Sequence, residues 1–301
     1  MKITGVAKSG TRNFLHYSSQ TYRVITSQIR LMPDFMIIGG QRCGTTSLYN
    51  YLIEHPGIVP ASTKEIHFFD YNFAKGLGWY RAQFPSFLHK YYVEHVRKHD
   101  FLTGEATVNY LFHPLAPKRI SEIMPREKLI VLLRNPIDRA HSQHWLESKW
   151  GHETLSFEEA IKCEEERLVG EREKMQENEN YHSYNHRHFS YLARGVYVDQ
   201  LQDWMNYYPR EQFLILKSED FYSDAAAVLQ QTLKFLGIPN GEQCPVNKEY
   251  KQYREPHKKG YQNHEKPAKI DPNVREHLVE YFKPHNARLR AFLGRDFEWD
   301  K

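Results

Sequence analysis

Short apolar runs alternate with helical periodicities along most of the chain. Residues 34–40 (DFMIIGG) are almost uniformly apolar and close on two glycines, the pattern of a strand buried on both faces. Leu48, Tyr51 and Leu52 then recur on one helical face before a His55-Pro56-Gly57 stop. Residues 128–136 (KLIVLLRNP) predict a second strand closed by Asn135-Pro136, and 138–150 a helix with Asp138 as its N-cap. A third strand falls at 212–220 (QFLILKSED), between helical patterns at 197–209 and 224–239. Strands alternating with helices predict an α/β fold, a P-loop-like parallel sheet with helices on both faces. Residues 1–33 have no strong periodicity and read as an N-terminal extension packed on a single domain spanning 34–301. The charged stretch 157–180 predicts solvated helices. Residues 243–267 read as a long loop before a final helix at 272–293.

Composition narrows the class without naming it. The 301 residues are 40% hydrophobic and 26% charged, as in an ordinary soluble globular protein. A formal net charge of +4 suits an anionic ligand but is too small to argue for nucleic acid. Cys43, Cys163 and Cys244 are scattered and odd in number, which fits neither a disulfide framework nor a zinc pattern and points to a reducing compartment. No stretch approaches the ~20 apolar residues of a membrane span, and the first twenty residues lack a signal-peptide core. These features predict a cytoplasmic protein with neither membrane nor nucleic acid among its partners.

The sharpest chemical signal is 37–48 (IIGGQRCGTTSL). A nucleoside-triphosphate loop reads G-x-x-x-x-G-K-[ST]. Gly39 and Gly44 keep that spacing, but Thr45 stands where the lysine belongs and Thr46 where Ser or Thr follows. Backbone N–H groups and a helix dipole still make an anion cradle, to which Thr45, Thr46 and Ser47 add hydroxyls and Arg42 a charge. Metal-assisted γ-phosphoryl transfer is disfavoured without the lysine. The plain alternative is a structural turn between strand and helix.

Residues 37–56 (IIGGQRCGTTSLYNYLIEHP) resemble the 5′-phosphosulfate loop of sulfotransferases, which use 3′-phosphoadenosine 5′-phosphosulfate (PAPS). Residues 129–145 (LIVLLRNPIDRAHSQHW) resemble their 3′-phosphate element, and 64–80 (KEIHFFDYNFAKGLGWY) are similar to the Golgi heparan-sulfate branch. The likeness runs from about residue 34 to the C-terminus and accounts for the missing lysine: a phosphosulfate has no γ-phosphate, and sulfuryl transfer in this family requires no metal. It implies donor contacts from Arg42, Cys43, Gly44, Thr45, Thr46 and Ser47 on the first loop. Arg134 and Ser142 fall at the 3′-phosphate position, Tyr197 beside the nucleotide, and Lys258, Lys259 and Gly260 in a closing loop. Three departures stand out. Arg42 replaces the usual lysine, and Ser47 occupies the place of the cytosolic branch's adenine-stacking tryptophan. The late-loop cysteine pair of the Golgi branch is absent.

Without the resemblance, Arg134 has an ordinary alternative as a surface ion pair with Asp138 or Glu147. An extended segment would put Glu65 and His67 on one face, either of them available as the base that sulfuryl transfer to an alcohol needs. The Golgi branch uses the glutamate that Glu65 matches. The aromatic flank is expected to bury Glu65 and raise its pKa; the alternative is a Lys64–Glu65 surface pair. His182, His186 and His188 read as a solvated loop rather than a metal clasp. Trp79 and Tyr80 either line an acceptor cleft or only pack, and Glu105, just past a possible strand, is a weak acceptor-side candidate.

Together these readings predict a PAPS-dependent transferase with Glu65, His67 and Arg42 as catalytic groups. The products would be 3′,5′-ADP and a glycan or small natural product sulfated on a hydroxyl or amine. A P-loop kinase and a non-catalytic nucleotide- or sulfoglycan-binding module are the rivals.

Overall fold

The centre of the molecule is β1 (Phe35–Gly39), which pairs in parallel with two strands distant in sequence, β3 (Leu102–Ala106) and β4 (Lys128–Leu133). β2 (Ile58–Pro60) and β5 (Phe213–Lys217) complete a fully parallel sheet in the order β2-β3-β1-β4-β5. This is a computed structural model, which describes residues 21–238 and 269–300.

Alternation along the strands explains the two-sided core. Met36 and Ile38, Leu129, Val131 and Leu133, and Phe213 and Ile215 pack on one face. The intervening Phe35, Ile37, Ile130, Leu132, Leu214 and Leu216 pack on the other. In β1, β4 and β5 residues at odd and even positions therefore both meet apolar neighbours, and these three strands carry no polar face inside the core. The second face is covered by α1 (Thr45–Ile53) and α6 (Ala225–Leu236), through Leu48, Leu52, Leu229 and Leu233. The first is covered by α3 (Pro136–Lys149), α5 (Tyr197–Met205) and α7 (Pro272–Leu293), through Ile137, Leu201, Trp204 and Phe282. A further helix, α2 (Ala116–Ile123), adds Ile120 to that layer.

β3 reads poorly as a strand because Thr103, Gly104 and Glu105 occupy its middle. Each is accounted for by packing or hydrogen bonding. Thr103 Oγ1 donates to the Val59 carbonyl at 2.7 Å. Gly104 lies under the Phe35 ring, where a Cβ would come within 2.5 Å.

Several boundaries differ from the sequence pattern. Asn135, not Asp138, caps α3: its Oδ1 accepts from Ile137 N at 3.0 Å and Asp138 N at 3.4 Å, with Pro136 at the first helical position. Asp138 instead pairs with Arg275 of α7. The charged stretch 157–180 breaks into Phe157–Lys162, Glu164–Leu168 and Glu171–Glu177. It is not simply solvated, since Glu164 is buried and accepts the Leu192 and Ala193 N–H groups at 2.7 and 2.8 Å. Burial pushes that carboxyl up to about 7 against the pull of these donors. The histidine-rich stretch is likewise not a solvated loop. Its α4 (Tyr184–His188) is capped by Ser183 and buries His186 and His188. Arg30 donates to the Phe84 carbonyl at 2.9 Å, so the part of the N-terminal stretch within the described residues packs against the segment before residue 86. The long loop at 243–267 lies outside the described residues.

Candidate active site

The C-terminal ends of β1, β3 and β4 open into one cleft of about 620 Å³. That is the edge where open α/β sheets bind ligands. Its floor is the turn between β1 and α1. Gly44 takes a left-handed φ of 89°, and a Cβ there would meet Tyr222 at 3.2 Å, so the turn requires glycine. Gly44 is also the N-cap of α1, with no side chain bonded to the helix end. The first-turn N–H groups of α1 have no carbonyl within the helix to accept them. With the dipole behind them they form an anion site, and Thr45, Thr46 and Ser47 line the cleft beside it.

Two arginines converge on this helix end. Arg42 Nε donates to Ser142 Oγ of α3 at 2.9 Å, and Arg134 Nη1 donates to the Arg42 carbonyl at 3.2 Å. Neither forms an ion pair among the described residues. The alternative partners of Arg134 are engaged elsewhere, Asp138 with Arg275 and Glu147 with His188. Burial, then the neighbouring Arg134 charge, lower the pKa of Arg42. Two guanidiniums held together without a carboxylate call for an anion between them.

Cys43 and Tyr197 stand behind this floor. Cys43 is fully buried; its N–H is used within the turn, to the Gly40 carbonyl, and its own carbonyl accepts Ser218 Oγ at 2.7 Å. Burial pushes its thiol up to about 11, so it stays neutral. Tyr197 is buried as well and donates to the Arg134 carbonyl at 2.8 Å. Both therefore shape the loop and do not line the cleft. Lys258, Lys259 and Gly260 lie outside the described residues.

Across the cleft lie Glu65 and His67. Their segment is not extended: φ is 57° at Glu65 and 54° at His67, both left-handed. The expectation of a strand-like shared face therefore fails, yet both side chains line the same cleft, because two left-handed residues flank the buried Ile66. The aromatic flank does not bury Glu65 either. Phe68 and Phe69 pack into the core, while the Glu65 side chain is 30% exposed. One of its oxygens pairs with Lys64 and the other accepts Val108 N–H at 3.2 Å. The Lys64–Glu65 pair thus exists, within the cleft wall.

His67 sits between two carboxylates. Nδ1 is 2.7 Å from Asp70 Oδ2, and Nε2 is 3.8 Å from Glu65 Oε2. Burial disfavours the imidazolium, but the Asp70 hydrogen bond and charge, with Glu65 behind them, raise the His67 pKa above its usual value. Asp70 is the residue that the sequence reading left without a role. Burial works against its charge, yet His67 and the Asn109 amide, 2.9 Å away, hold its pKa below the usual carboxylate range. Its position three residues after His67 was the available signal.

Other candidates move to the core. Glu105 is fully buried, accepting Tyr80 OH at 2.5 Å and Thr107 Oγ1 at 2.7 Å, with burial pushing it up to about 7. Tyr80 is fully buried, and Trp79 packs beside it against the Phe68 ring. None of the three lines the cleft.

Comparison with known proteins decides the class. A family model described as a sulfotransferase domain matches residues 32–286. The chain belongs to the sulfotransferase family. Among solved structures, a sulfotransferase from Alicyclobacillus acidocaldarius superposes with a TM-score of 0.63 at 28% identity, covering 90% of this sulfotransferase and all of that chain. The membrane-associated sulfotransferase kil1 of Dictyostelium discoideum is 26% identical over 91% of this chain and 68% of its own length. The human bifunctional heparan sulfate N-deacetylase/N-sulfotransferase 3 is 30% identical over 87% of this chain, which spans 30% of that protein. The human heparan sulfate glucosamine 3-O-sulfotransferase 3B1 is 29% identical over 89% and 65%. Among the described residues of this sulfotransferase, no helix is long and apolar enough to cross a membrane.

Proposed function

We propose that this sulfotransferase moves a sulfuryl group from PAPS to a hydroxyl or amine of a glycan or small natural product, releasing 3′,5′-ADP. The observation that carries this reading is the uncapped start of α1 beside Arg42 and Arg134, two cations with no carboxylate partner among the described residues. A phosphosulfate suits that floor: the first-turn N–H groups and Arg42 hold the 5′-phosphate, while Arg134 and Ser142 are available for the 3′-phosphate.

The acceptor enters from the side of Glu65. Glu65 takes the acceptor proton as the new O–S or N–S bond forms. The bond from sulfur to the 5′-phosphate breaks, and the charge that gathers on the leaving phosphate is met by Arg42 and the helix N-terminus. His67, held toward its protonated form by Asp70, donates to a sulfuryl oxygen and keeps Glu65 and its own ring in register. No residue in this scheme needs a metal ion.

Incubation of the purified protein with labelled PAPS and candidate acceptors, without metal, is the direct test. A sulfate mass gain on an acceptor with release of 3′,5′-ADP supports the reading. A requirement for ATP and magnesium would replace it with a kinase, and donor binding without turnover would replace it with a binding module.

A further inference from the structure

The far end of the cleft holds a cluster that sulfuryl transfer does not use. Glu147 lies on α3, five residues beyond Ser142, about 7.5 Å farther along the axis at 1.5 Å per residue. His188 of α4 and His152, just past α3, close around it. One ligand atom from each of the three lies within 4.8 Å of the others. We propose that Glu147, His152 and His188 bind a divalent transition-metal ion of the zinc type, with an open coordination position facing the cleft.

The donor set argues for that class of ion. Two imidazoles and one carboxylate suit zinc and its neighbours, and a three-ligand set leaves a position free for water or a substrate group. Glu147 is buried, and among the described residues it forms no ion pair with lysine or arginine, the buried Arg194 guanidinium acting on it only at a distance; its carboxylate meets His188 Nδ1 at 2.8 Å. A buried carboxylate facing two imidazoles holds charge that a dication would neutralise. The supporting shell is in place. His152 Nδ1 meets Tyr184 OH at 2.9 Å, which fixes that ring and leaves Nε2 to coordinate. The His152 and His188 rings lie 4.1 Å apart, centroid to centroid. Metal–ligand bonds of about 2.1 Å put neighbouring ligand atoms about 3.4 Å apart. Closure on an ion therefore needs the Glu147–His188 hydrogen bond at 2.8 Å to open with loss of its proton, and a small rotation of the half-buried His152.

The histidine spacing in the sequence does not produce this site. His186 is committed to a stack on Phe112 at 4.4 Å, and His182 sits against Tyr71. Only His188 of that stretch joins the cluster, and its partners come from α3 and the turn after it. The cluster and the phosphate loop line one cleft, so an ion there would meet a ligand bound in that cleft. Its open position would take an acceptor hydroxyl or an anionic substituent.

The test is calorimetric titration of the tag-free, EDTA-stripped full chain with zinc chloride, with bound metal counted by elemental analysis. One equivalent is expected, with affinity in the micromolar range or tighter. His152→Ala should weaken binding at least ~100-fold, and Tyr184→Phe by ~10-fold through loss of ring orientation. Both residues are part exposed, so circular dichroism should report an unchanged fold. Absence of stoichiometric zinc overturns the proposal, as does equal binding by wild type and His152→Ala. Metal binding is read without PAPS or acceptor, so failure here leaves the donor assignment standing, and failure of turnover leaves this result standing.

Discussion

Arg42 Nε and Ser142 Oγ, 2.9 Å apart, join the turn after β1 to the helix after β4. One bond therefore couples the turn at the floor of the cleft to the element proposed to carry the second anion site. The two arginines should still separate in kinetics. Arg134→Ala removes a contact present in both ground and transition states, so donor KM should rise more than kcat falls. Arg42→Ala removes stabilisation of leaving-group charge and should lower kcat by ~10²–10³-fold. Steady-state kinetics with PAPS varied checks both; exchanged phenotypes would reverse the two sites.

The proposed pair of anion sites sets an expectation for nucleotide selectivity. In a metal-free thermal-shift titration, 3′,5′-ADP should raise Tm through mass action, and 5′-AMP should do so much less at equal concentration. Equal shifts would remove the 3′-phosphate from the assignment.

Glu65 and His67 share one cleft, so chemistry must divide their roles. Glu65→Gln keeps size and loses basicity, and should cost ~10²–10⁴-fold in kcat with 3′,5′-ADP affinity nearly unchanged. His67→Asn should cost less with an alcohol acceptor. A normal kcat for Glu65→Gln beside a dead His67→Asn would make His67 the base.

Asp70 sets the charge on His67, and this gives a pH signature. The raised His67 pKa contributes stability that is complete below its unfolded value of about 6.5 and is lost as pH rises through the higher folded value. The lowered Asp70 pKa contributes stability present above about 3.9 and lost as pH falls through its folded value. The pair therefore stabilises most between roughly pH 4 and 6.5. The Tm difference between wild type and Asp70→Asn should be larger at pH 5–6 than at pH 9. The alkaline limb of activity should move to lower pH in the variant. Identical pH profiles would detach Asp70 from His67.

Gly44→Ala tests the floor itself. A side chain at φ 89° is strained and meets Tyr222 at 3.2 Å, so the first turn of α1 must shift. Affinity for 3′,5′-ADP should fall, while Tm without ligand drops by no more than a few degrees. Calorimetry resolves the two; unchanged affinity would mean that the α1 start does not hold the nucleotide.

The strands β1, β4 and β5 were legible because burial on both faces leaves an uninterrupted apolar run. β2 was not and β3 showed only as a possible strand before Glu105, since β2 has three residues and β3 carries threonine, glycine and glutamate whose fit depends on Val59, Phe35 and Tyr80, partners remote in sequence. The phosphate loop could be read locally, because a strand, a glycine turn and a helix start are contiguous. The opposite wall could not. Asp70 acquires its role only when a turn folds it back on His67, and Glu147 and His152 only when α4 lays His188 against them. Glu105 and Tyr80 looked available for substrate and proved to satisfy each other in the core.

The left-handed backbone at Glu65 bears on how the protein can change over generations. A non-glycine residue in that region costs on the order of 1–3 kcal/mol unless its surroundings compensate. At Glu65 the backbone N–H donates to the Ala106 carbonyl at 2.9 Å and the carboxylate accepts Val108 N–H at 3.2 Å; only the second needs the glutamate side chain, and the part-exposed pair with Lys64 adds little. Asparagine tolerates that conformation better. Drift under selection for folding alone would therefore replace Glu65 readily, and an inactive descendant could be the sturdier molecule. With Glu65 as the proposed base, a glutamate kept at this position in a working homologue would record selection for chemistry.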